Sequence, residues 1–401
     1  MGAILPVDLY RCIVEHYSQE DRGTLLSLMF TSRAFNYEAE RILYRSFNNF
    51  CNITTQTLFL NRVISCPRVA KFVRSYKLFI TFSIEPLSDF LTLLHTAFLA
   101  LVELKYLGFR TLGGSSAAQI LTGCTFQLEE LDWDCSCDEQ LLIEFLSTQK
   151  SLKSFISCWD PSRIPPPSVD VVPFLTSLRG RYGLIQTFLP GRNITNLDWI
   201  PDLDDPDPDT ALLADSLANV RTMTFGGYFM RPNLSTIAQY LSQVRNLELR
   251  GVQADDLDCV HLMPNLEVFK ISMRPVLGLS ILRSDHNAVV IKLFSGCAKL
   301  EVITIASKKH DFWAQDYRKW ARKDFMAHNG QGTIPWTDIP SVNSVLMLFP
   351  GLLSWRLRRM IQAPADGRGK LPSQVETLTS GLDAASTYDT HPYHKGIMGS
   401  I

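Results

Sequence analysis

The sequence predicts an α/β protein in which a short all-helical unit is followed by an irregular solenoid of helix–strand units, with a parallel sheet on the concave face. Three observations lead to this fold class. At 401 residues the chain exceeds what one hydrophobic core supports. Its composition, 46% apolar and 20% charged, is that of a folded protein. A six-residue pattern with three apolar positions then recurs along most of its length.

Residues 5–44 hold three short helical patterns. The first carries an apolar stripe at every fourth position, at Leu5, Leu9, Ile13 and Tyr17. Pro6 is tolerated in a first turn, where its missing N–H costs nothing. A second segment follows at 24–30, and Thr31 or Ser32 can cap a third helix. Twenty of these forty residues are apolar, more than so small a unit can bury internally, so we expect a second surface that contacts another molecule.

The order and spacing of these residues resemble the F-box, a three-helix module that docks on the Skp-family adaptor of cullin–RING ubiquitin ligases. The matching stretches, which resemble the fungal form of the module, are L-P-x-D-L at 5–9, Ile13, the Leu25/Leu26/Leu28 cluster, TSRAF at 31–35 and ILY at 42–44. The sequence departs from the family at two positions. Asp8 stands where Glu is more common, and Phe35 stands where many members have Trp.

The resemblance implies the substrate-recognition subunit of a Skp–cullin–F-box ubiquitin ligase, a cytoplasmic or nuclear protein that performs no catalysis itself. The residues that it assigns to the adaptor contact are Leu5, Pro6, Leu9, Ile13, Leu25, Leu26 and Leu28. The main alternative is a leucine-rich-repeat-like protein-binding scaffold outside any ligase, whose N-terminal helices cap the first repeat. An enzyme with an unrecognised site is a second alternative.

Beyond the first helices the pattern changes to helix-then-strand units. The strand-like hexamers read apolar-x-x-apolar-x-apolar and lie at 73–78, 101–106, 128–133, 152–157, 194–199, 220–225, 244–249, 266–271, 300–305 and 352–357. Helical segments precede most of them, for example at 89–100, 138–146, 209–218 and 287–295. Units of mostly 22–28 residues are typical of a leucine-rich-repeat solenoid, although the Asn or Cys expected after each strand is not kept.

These patterns divide the chain into three parts. They are an F-box-like unit at 1–46, a solenoid at 47–360 and a disordered tail at 361–401. Long intervals between hexamers predict insertions near 159–190, 200–210 and 306–340. The Pro-rich stretches 159–174 and 200–210 are expected to be loops. Residues 308–325 are interpreted as an amphipathic helix with Trp313, Tyr317 and Trp320 on one face.

We expect the target protein to contact the strand face of the solenoid, where the x positions of the hexamers point outward. The charged residues assigned to this contact are Glu103, Lys105, Glu129, Glu130, Asp132, Arg221, Arg245, Glu248 and Lys270. The stretch 129–134 is strongly acidic and the later units are more basic. The sequence therefore predicts a polar, charge-patterned protein ligand.

Other function classes find no support in the sequence. A net charge of −1 with scattered Lys and Arg argues against nucleic acid as a partner. The most apolar segment, 90–102, is too short for a membrane span. The nine cysteines lack zinc-ligand spacing and are expected to be reduced thiols. The acidic run at 202–209 does not fit an EF-hand, and we predict no catalytic residue, metal site or cofactor.

Overall fold

The computed structural model describes residues 6–48, 53–80, 87–111, 117–135, 139–158, 166–201, 209–226, 233–250, 254–272, 286–308 and 315–327. All of these residues belong to the first of two compact units, Met1–Leu352. Several predicted features lie outside the described residues: Leu5, Trp313, most of the 200–210 loop, the hexamer at 352–357 and the tail at 361–401.

Three helices form at the N-terminus, over the predicted segments. They are α1 (Val7–Glu15), α2 (Arg22–Met29) and α3 (Arg33–Leu43). Ser32 caps α3, because its Oγ accepts a hydrogen bond from the Phe35 N–H at 3.2 Å. Helix α3 packs against both α1 and α2. We call these three helices the helical unit; its small core is separate from that of the remaining chain and consists of Val14, Leu25, Ala39 and Ile42.

The twelve strands that the structure describes form one sheet in chain order. They are β1 (Ser46–Asn48), β2 (Ser75–Ile80), β3 (Tyr106–Thr111), β4 (Glu130–Asp134), β5 (Ser154–Ser157), β6 (Ser177–Gly180), β7 (Asn196–Trp199), β8 (Thr222–Phe225), β9 (Asn246–Arg250), β10 (Val268–Ser272), β11 (Val302–Lys308) and β12 (Gln315–Ala321). Neighbours are parallel from β1 to β11, and β12 returns antiparallel to β11. The predicted α/β solenoid with a parallel sheet is therefore confirmed.

Helical segments lie in most of the connections between the parallel strands, because such crossovers commonly contain a helix. They are α4 (Ile53–Ser65), α5 (Pro67–Ala70), α6 (Leu87–Ala100), α7 (Glu139–Thr148), α8 (Tyr182–Phe188), α9 (Thr210–Leu217), α10 (Ser235–Ala238), α11 (Ala254–Asp258), α12 (His286–Gly296) and, after β12, α13 (Arg322–Ala327). Single 3₁₀ turns occur at Ala118–Leu121 and Val260–Leu262. Within the described ranges, every helix falls short of the length and hydropathy that a bilayer crossing needs.

The strands keep one register, so equivalent side chains form continuous rows. The second residue of each strand from β2 to β11 is buried: Tyr76, Leu107, Leu131, Phe155, Leu178, Leu197, Met223, Leu247, Phe269 and Ile303. Because side chains alternate along a strand, the residues on either side of this row lie on the opposite face of the sheet. One face therefore packs on the helices while the other is left open.

The hexamer predicted at 101–106 is wrong by three residues. The register pairs Tyr76 with Leu107, so the apolar positions of this repeat are Leu104, Leu107 and Phe109. Leu101 instead belongs to the turn that ends α6, where its N–H donates to the Phe98 carbonyl at 3.1 Å. The error arose because Leu101 and Leu104 are both buried and have the spacing of a hexamer.

The predicted insertion near 159–190 contains a complete repeat. Strand β6 pairs with β5 and β7, and α8 follows it. The repeat escapes the hexamer pattern because Gly180 occupies the third apolar position. A Cβ there would lie 2.4 Å from Leu184 Cδ2 and 2.5 Å from the Ser157 carbonyl oxygen, so only glycine fits. Residues 166–174 before it form turns and loops, as the Pro-rich composition predicts.

The amphipathic helix predicted over 308–325 is also wrong. Residues 315–321 form β12, which pairs with all seven residues of β11, and among the described residues of this stretch only those in the short α13 are helical. The pairing supplies hydrogen bonds to the last parallel strand, which would otherwise present an unpaired edge. Trp320 is buried opposite Ile303. The local aromatic content favours a strand as well as a helix, and the tertiary pairing decides between them.

Candidate protein-binding surfaces

The helical unit exposes apolar side chains that its own core does not use. On α1, Leu9 and Ile13 are 44% and 38% exposed. On and just after α2, Leu26 and Phe30 are 50% and 90% exposed. Each pair is four residues apart, so its members are neighbours on one side of a helix. Two helices of the unit therefore present apolar side chains to solvent.

The predicted adaptor residues divide into two groups. Pro6, Leu9, Ile13 and Leu26 are exposed, as a contact residue must be in the free protein. Leu25 is fully buried in the core of the helical unit, and Leu28 is half-buried against that core. Leu25 is therefore a core residue, because it lies on the side of α2 that faces α3. Phe30 was missed, although its spacing from Leu26 could have revealed it.

The helical unit is joined to the first repeat by ion pairs to a buried carboxylate and by an aromatic contact. Glu40 on α3 is only 3% exposed, and its carboxylate pairs with Arg62 and Arg68 of α4 and α5. Tyr37 packs edge-to-face on Phe72, with ring centroids 5.2 Å apart. A buried carboxylate needs such partners, so the junction fixes α3 against the beginning of the solenoid.

Two rows of mostly polar residues cross the sheet, the rim row at the start of the strands and the central row on the open face. The rim row consists of the residue before each strand from β1 to β11: Arg45, Arg74, Lys105, Glu129, Lys153, Thr176, Thr195, Arg221, Arg245, Glu267 and Glu301. Each carbonyl in this row, up to Glu267, accepts an N–H from the next rim residue at 2.8–2.9 Å. The central row is the third residue of each of these strands: Asn48, Lys77, Gly108, Asp132, Ile156, Arg179, Asp198, Thr224, Glu248, Lys270 and Thr304.

Ion pairs connect the central row across the later strands. Asp198 accepts from Arg179 Nε at 3.2 Å and from Arg250 Nη1 at 3.1 Å. Glu248 pairs with Lys270 at 3.3 Å. These side chains are only partly exposed, so the pairs are less screened by water than ordinary surface pairs. The charged residues of the central row from β6 to β10 are thus paired with opposite charges on the same face.

Only one of the three carboxylates of the acidic strand β4 has a cationic partner among the described residues. Asp132 receives two hydrogen bonds from Arg110, at 3.1 and 2.9 Å, in a bidentate pair. Glu130 and Asp134 form no ion pair within the part of the chain that the structure describes. Burial raises the pKa of Asp134, and the adjacent Asp132 adds to the rise against the opposing effect of Arg110. A cation next to β4 would therefore stabilise its ionised form.

The strand register shows where the predicted target-binding residues lie. Lys105, Glu129, Arg221 and Arg245 lie in the rim row, Glu130 begins β4, and Asp132, Glu248 and Lys270 lie in the central row. Glu103 is the exception: it lies in the turn before β3, where it pairs with Arg74.

Several charged residues of the open face were missed. Arg74 and Lys77 occupy x positions of the first hexamer and could have been assigned from it. Arg45 could not, because β1 is too short to show the apolar pattern. Arg179 was missed because β6 was not recognised.

A metal centre is not formed by the described residues, since no three His, Cys, Asp or Glu side chains among them are grouped to hold an ion.

Comparison with known proteins adds little to this description. No protein-family model matches the chain, and no curated protein matches it. Among solved structures, an internalin from Listeria monocytogenes is similar over 72% of this chain and 94% of that chain, with 12% sequence identity and a TM-score of 0.27. The repeat organisation itself, helix-then-strand units stacked into one parallel sheet in chain order, makes the fold leucine-rich-repeat-like.

Proposed function

We propose that the chain is a receptor that joins a Skp-family adaptor to a target protein within a cullin–RING ubiquitin ligase. The helical unit docks the adaptor, and the open face of the sheet binds the target. One observation carries the proposal: α1 and α2 expose Leu9, Ile13, Leu26 and Phe30, while a separate core holds the unit together. The resemblance of residues 5–44 to the F-box is the reason for proposing a Skp-family adaptor as the partner of this surface.

The size of this apolar surface is adequate for a stable interface. A fully buried aliphatic side chain contributes about 1.5–3 kcal/mol. Four side chains that are 38–90% exposed leave several kcal/mol to be gained on docking, before the cost of association is subtracted. Leu25 does not belong to this surface, since it is already buried.

Such a receptor acts by proximity and needs no catalytic group of its own. The adaptor and the cullin would hold the ubiquitin-charged enzyme, while the open face holds the target. Tethering raises the effective concentration of the target's lysines at that enzyme. The proposal places the chain in the cytoplasm or nucleus, where such ligases operate.

The alternative proposal is a protein-binding scaffold in which the helical unit only caps the solenoid. The junction through Glu40 favours it, because that contact covers the first repeat as a cap would. A cap, however, requires no second apolar surface. It leaves the 90% exposure of Phe30 without a role.

The test is complex formation with a recombinant Skp-family adaptor, measured by size-exclusion chromatography with light scattering. We expect the full chain to form a one-to-one complex. Leu9→Asp should abolish the complex, because it places a charge in the apolar contact. The matched control is Leu99→Asp on α6, a leucine of the same 44% exposure outside the helical unit. It should bind like the unmodified chain.

Two outcomes would count against the receptor proposal. If the folded full chain forms no complex, the helices are a cap. If Leu9→Asp and Leu99→Asp bind equally well, the adaptor contacts a different surface from the one proposed.

A further inference from the structure

The first three strands, with the rim residues that precede them, form the most basic part of the sheet surface. Their rim residues, Arg45, Arg74 and Lys105, are three cations in succession. The Arg74 N–H donates to the Arg45 carbonyl and the Lys105 N–H to the Arg74 carbonyl, both at 2.8 Å. Neighbouring strands lie about 4.8 Å apart, so the backbones of these three cationic residues form a row about 10 Å long.

The central row and the strand ends add further cations and two aromatic rings. Lys77 Nζ lies 4.4 Å from the centre of the Tyr106 ring, a cation–π contact. Gly108 makes room for it, because a Cβ there would lie 3.1 Å from Lys77 Cγ. Phe79 and Arg110 lie farther along the same face and are partly exposed. The surface therefore combines positive charge with flat apolar contacts.

Acidic side chains are absent from β1, β2 and β3. Arg45 and Lys105 form no ion pair within the described residues, and Lys105 Nζ donates only to the Gln127 carbonyl at 3.4 Å. Arg74 pairs with Glu103, and Arg110 is matched by Asp132. Burial lowers the pKa of Lys77 despite the opposing effect of Asp132 and Glu130, so a further anion nearby would stabilise its ammonium form. Arg45, Lys77 and Lys105 thus form no ion pair within the described residues, although Asp132 and Glu130 of β4 lie near enough to act on Lys77 electrostatically.

We propose that β1–β3, with the rim residues Arg45, Arg74 and Lys105, form the binding site for an acidic, extended segment of a partner protein. Carboxylate side chains of such a segment would pair with the rim cations, and its apolar atoms would contact Tyr106 and Phe79. The acidic strand β4 lies directly beside the site and repels the same segment. This repulsion limits the acidic ligand to the first three strands.

This inference rests on the proposed function and refines it, because it names the chemistry of the target. It also changes the expectation from the sequence, which placed the basic units late in the solenoid. The site adjoins the helical unit, since Arg45 follows α3 by two residues. A target held there would lie near the adaptor contact.

The probe is a fluorescein-labelled peptide of about eight residues, alternating Glu with Ser, which spans about 26 Å when extended. Binding to the full chain is measured by fluorescence anisotropy. We expect Arg45→Glu with Lys105→Glu to weaken binding about tenfold, and Arg45→Gln with Lys105→Gln to weaken it less. The control is Lys150→Glu with Lys299→Glu, which changes the net charge equally at two exposed lysines off the open face.

Binding should also weaken as NaCl rises from about 50 to about 200 mM, because the screening length shortens. Equal losses in the site and control variants would overturn the proposal. So would equal affinity for a peptide with Gln in place of Glu, or tighter binding of a single-stranded oligonucleotide that displaces the peptide. Circular dichroism confirms that each variant is folded.

Failure of this site and failure of the proposed function are separable. The Arg45→Glu, Lys105→Glu chain should still form the adaptor complex, because neither residue belongs to the α1–α2 surface. Leu9→Asp should still bind the acidic peptide. If the unmodified chain binds the adaptor but not the acidic peptide, the proposed acidic target is wrong. If it binds the peptide but not the adaptor, the ligase proposal is wrong.

Discussion

At the residue scale, two glycines allow neighbouring strands and helices to approach each other. Gly180 lets α8 pack directly over the end of β6. Gly226, just after β8, has φ at +123°, and a Cβ there would lie 1.9 Å from the Arg250 carbonyl oxygen. No side chain fits that space, and the backbone conformation itself disfavours other residues. The close approach of the ends of β8 and β9 thus requires a residue without a Cβ atom at position 226.

Gly226→Ala is therefore expected to lower the free energy of unfolding by about 3 kcal/mol or more. The matched control is Gly296→Ala at the end of α12, where the nearest atom is His261 Cβ at 3.7 Å, an ordinary contact. That substitution should change stability by less than about 1 kcal/mol. Thermal unfolding followed by circular dichroism measures both. Similar melting temperatures for the two variants would contradict the steric account.

At the element scale, the Pro-rich segment before β6 is held by one buried arginine. Arg192 is 5% exposed, and its guanidinium donates to the carbonyls of Ser168 at 2.8 Å and Val171 at 3.2 Å. It also donates to the Phe188 carbonyl at the end of α8. The segment holds Val172 at φ +51°, a strained conformation for a β-branched residue. The arginine thus fixes a loop that would not hold this shape alone.

We expect Arg192→Met to destabilise the chain by about 2–4 kcal/mol, because several buried carbonyls lose their donor. Residues 166–175 should become the first site of limited proteolysis, identified by mass spectrometry. The control is Arg221→Met, at an exposed arginine whose side chain makes no hydrogen bond or ion pair within the described residues; it should leave both readouts unchanged. Equal behaviour of the two variants would contradict the role of Arg192.

Elements with a strong apolar pattern could be predicted from the sequence, and elements fixed by tertiary contacts could not. Helix α6 and strands β4, β7, β8 and β9 follow their hexamers and helical segments closely. Strand β6 could not be recognised from the hexamer pattern because its third core position is Gly180. Glycine is required there because Leu184 of α8 packs against it, and that contact is not visible in the local sequence. Strand β12 was mistaken for a helix because its pairing with β11 is not visible in local sequence. Leu25 was assigned to the surface because a helical stripe alone does not show which side α3 covers.

At the scale of the whole molecule, the chain joins two surfaces of different chemistry. The α1–α2 surface is apolar, and the open face is charged, with a basic part at β1–β3 next to the acidic β4. The Glu40 junction connects the two directly. The location of these two surfaces could be predicted from the sequence, because the x positions of the hexamers and the helical stripes indicate which side chains point outward. Their charge pairing depends on register and was not predictable.

The most direct test of the central claim is hydrogen–deuterium exchange of the full chain with and without a Skp-family adaptor. Docking removes water from the contacted helices, so the account predicts slower exchange in α1 and α2, at Val7–Glu15 and Arg22–Met29, with no change in α7 and α9. Unchanged exchange throughout, or protection confined to the solenoid, would contradict it.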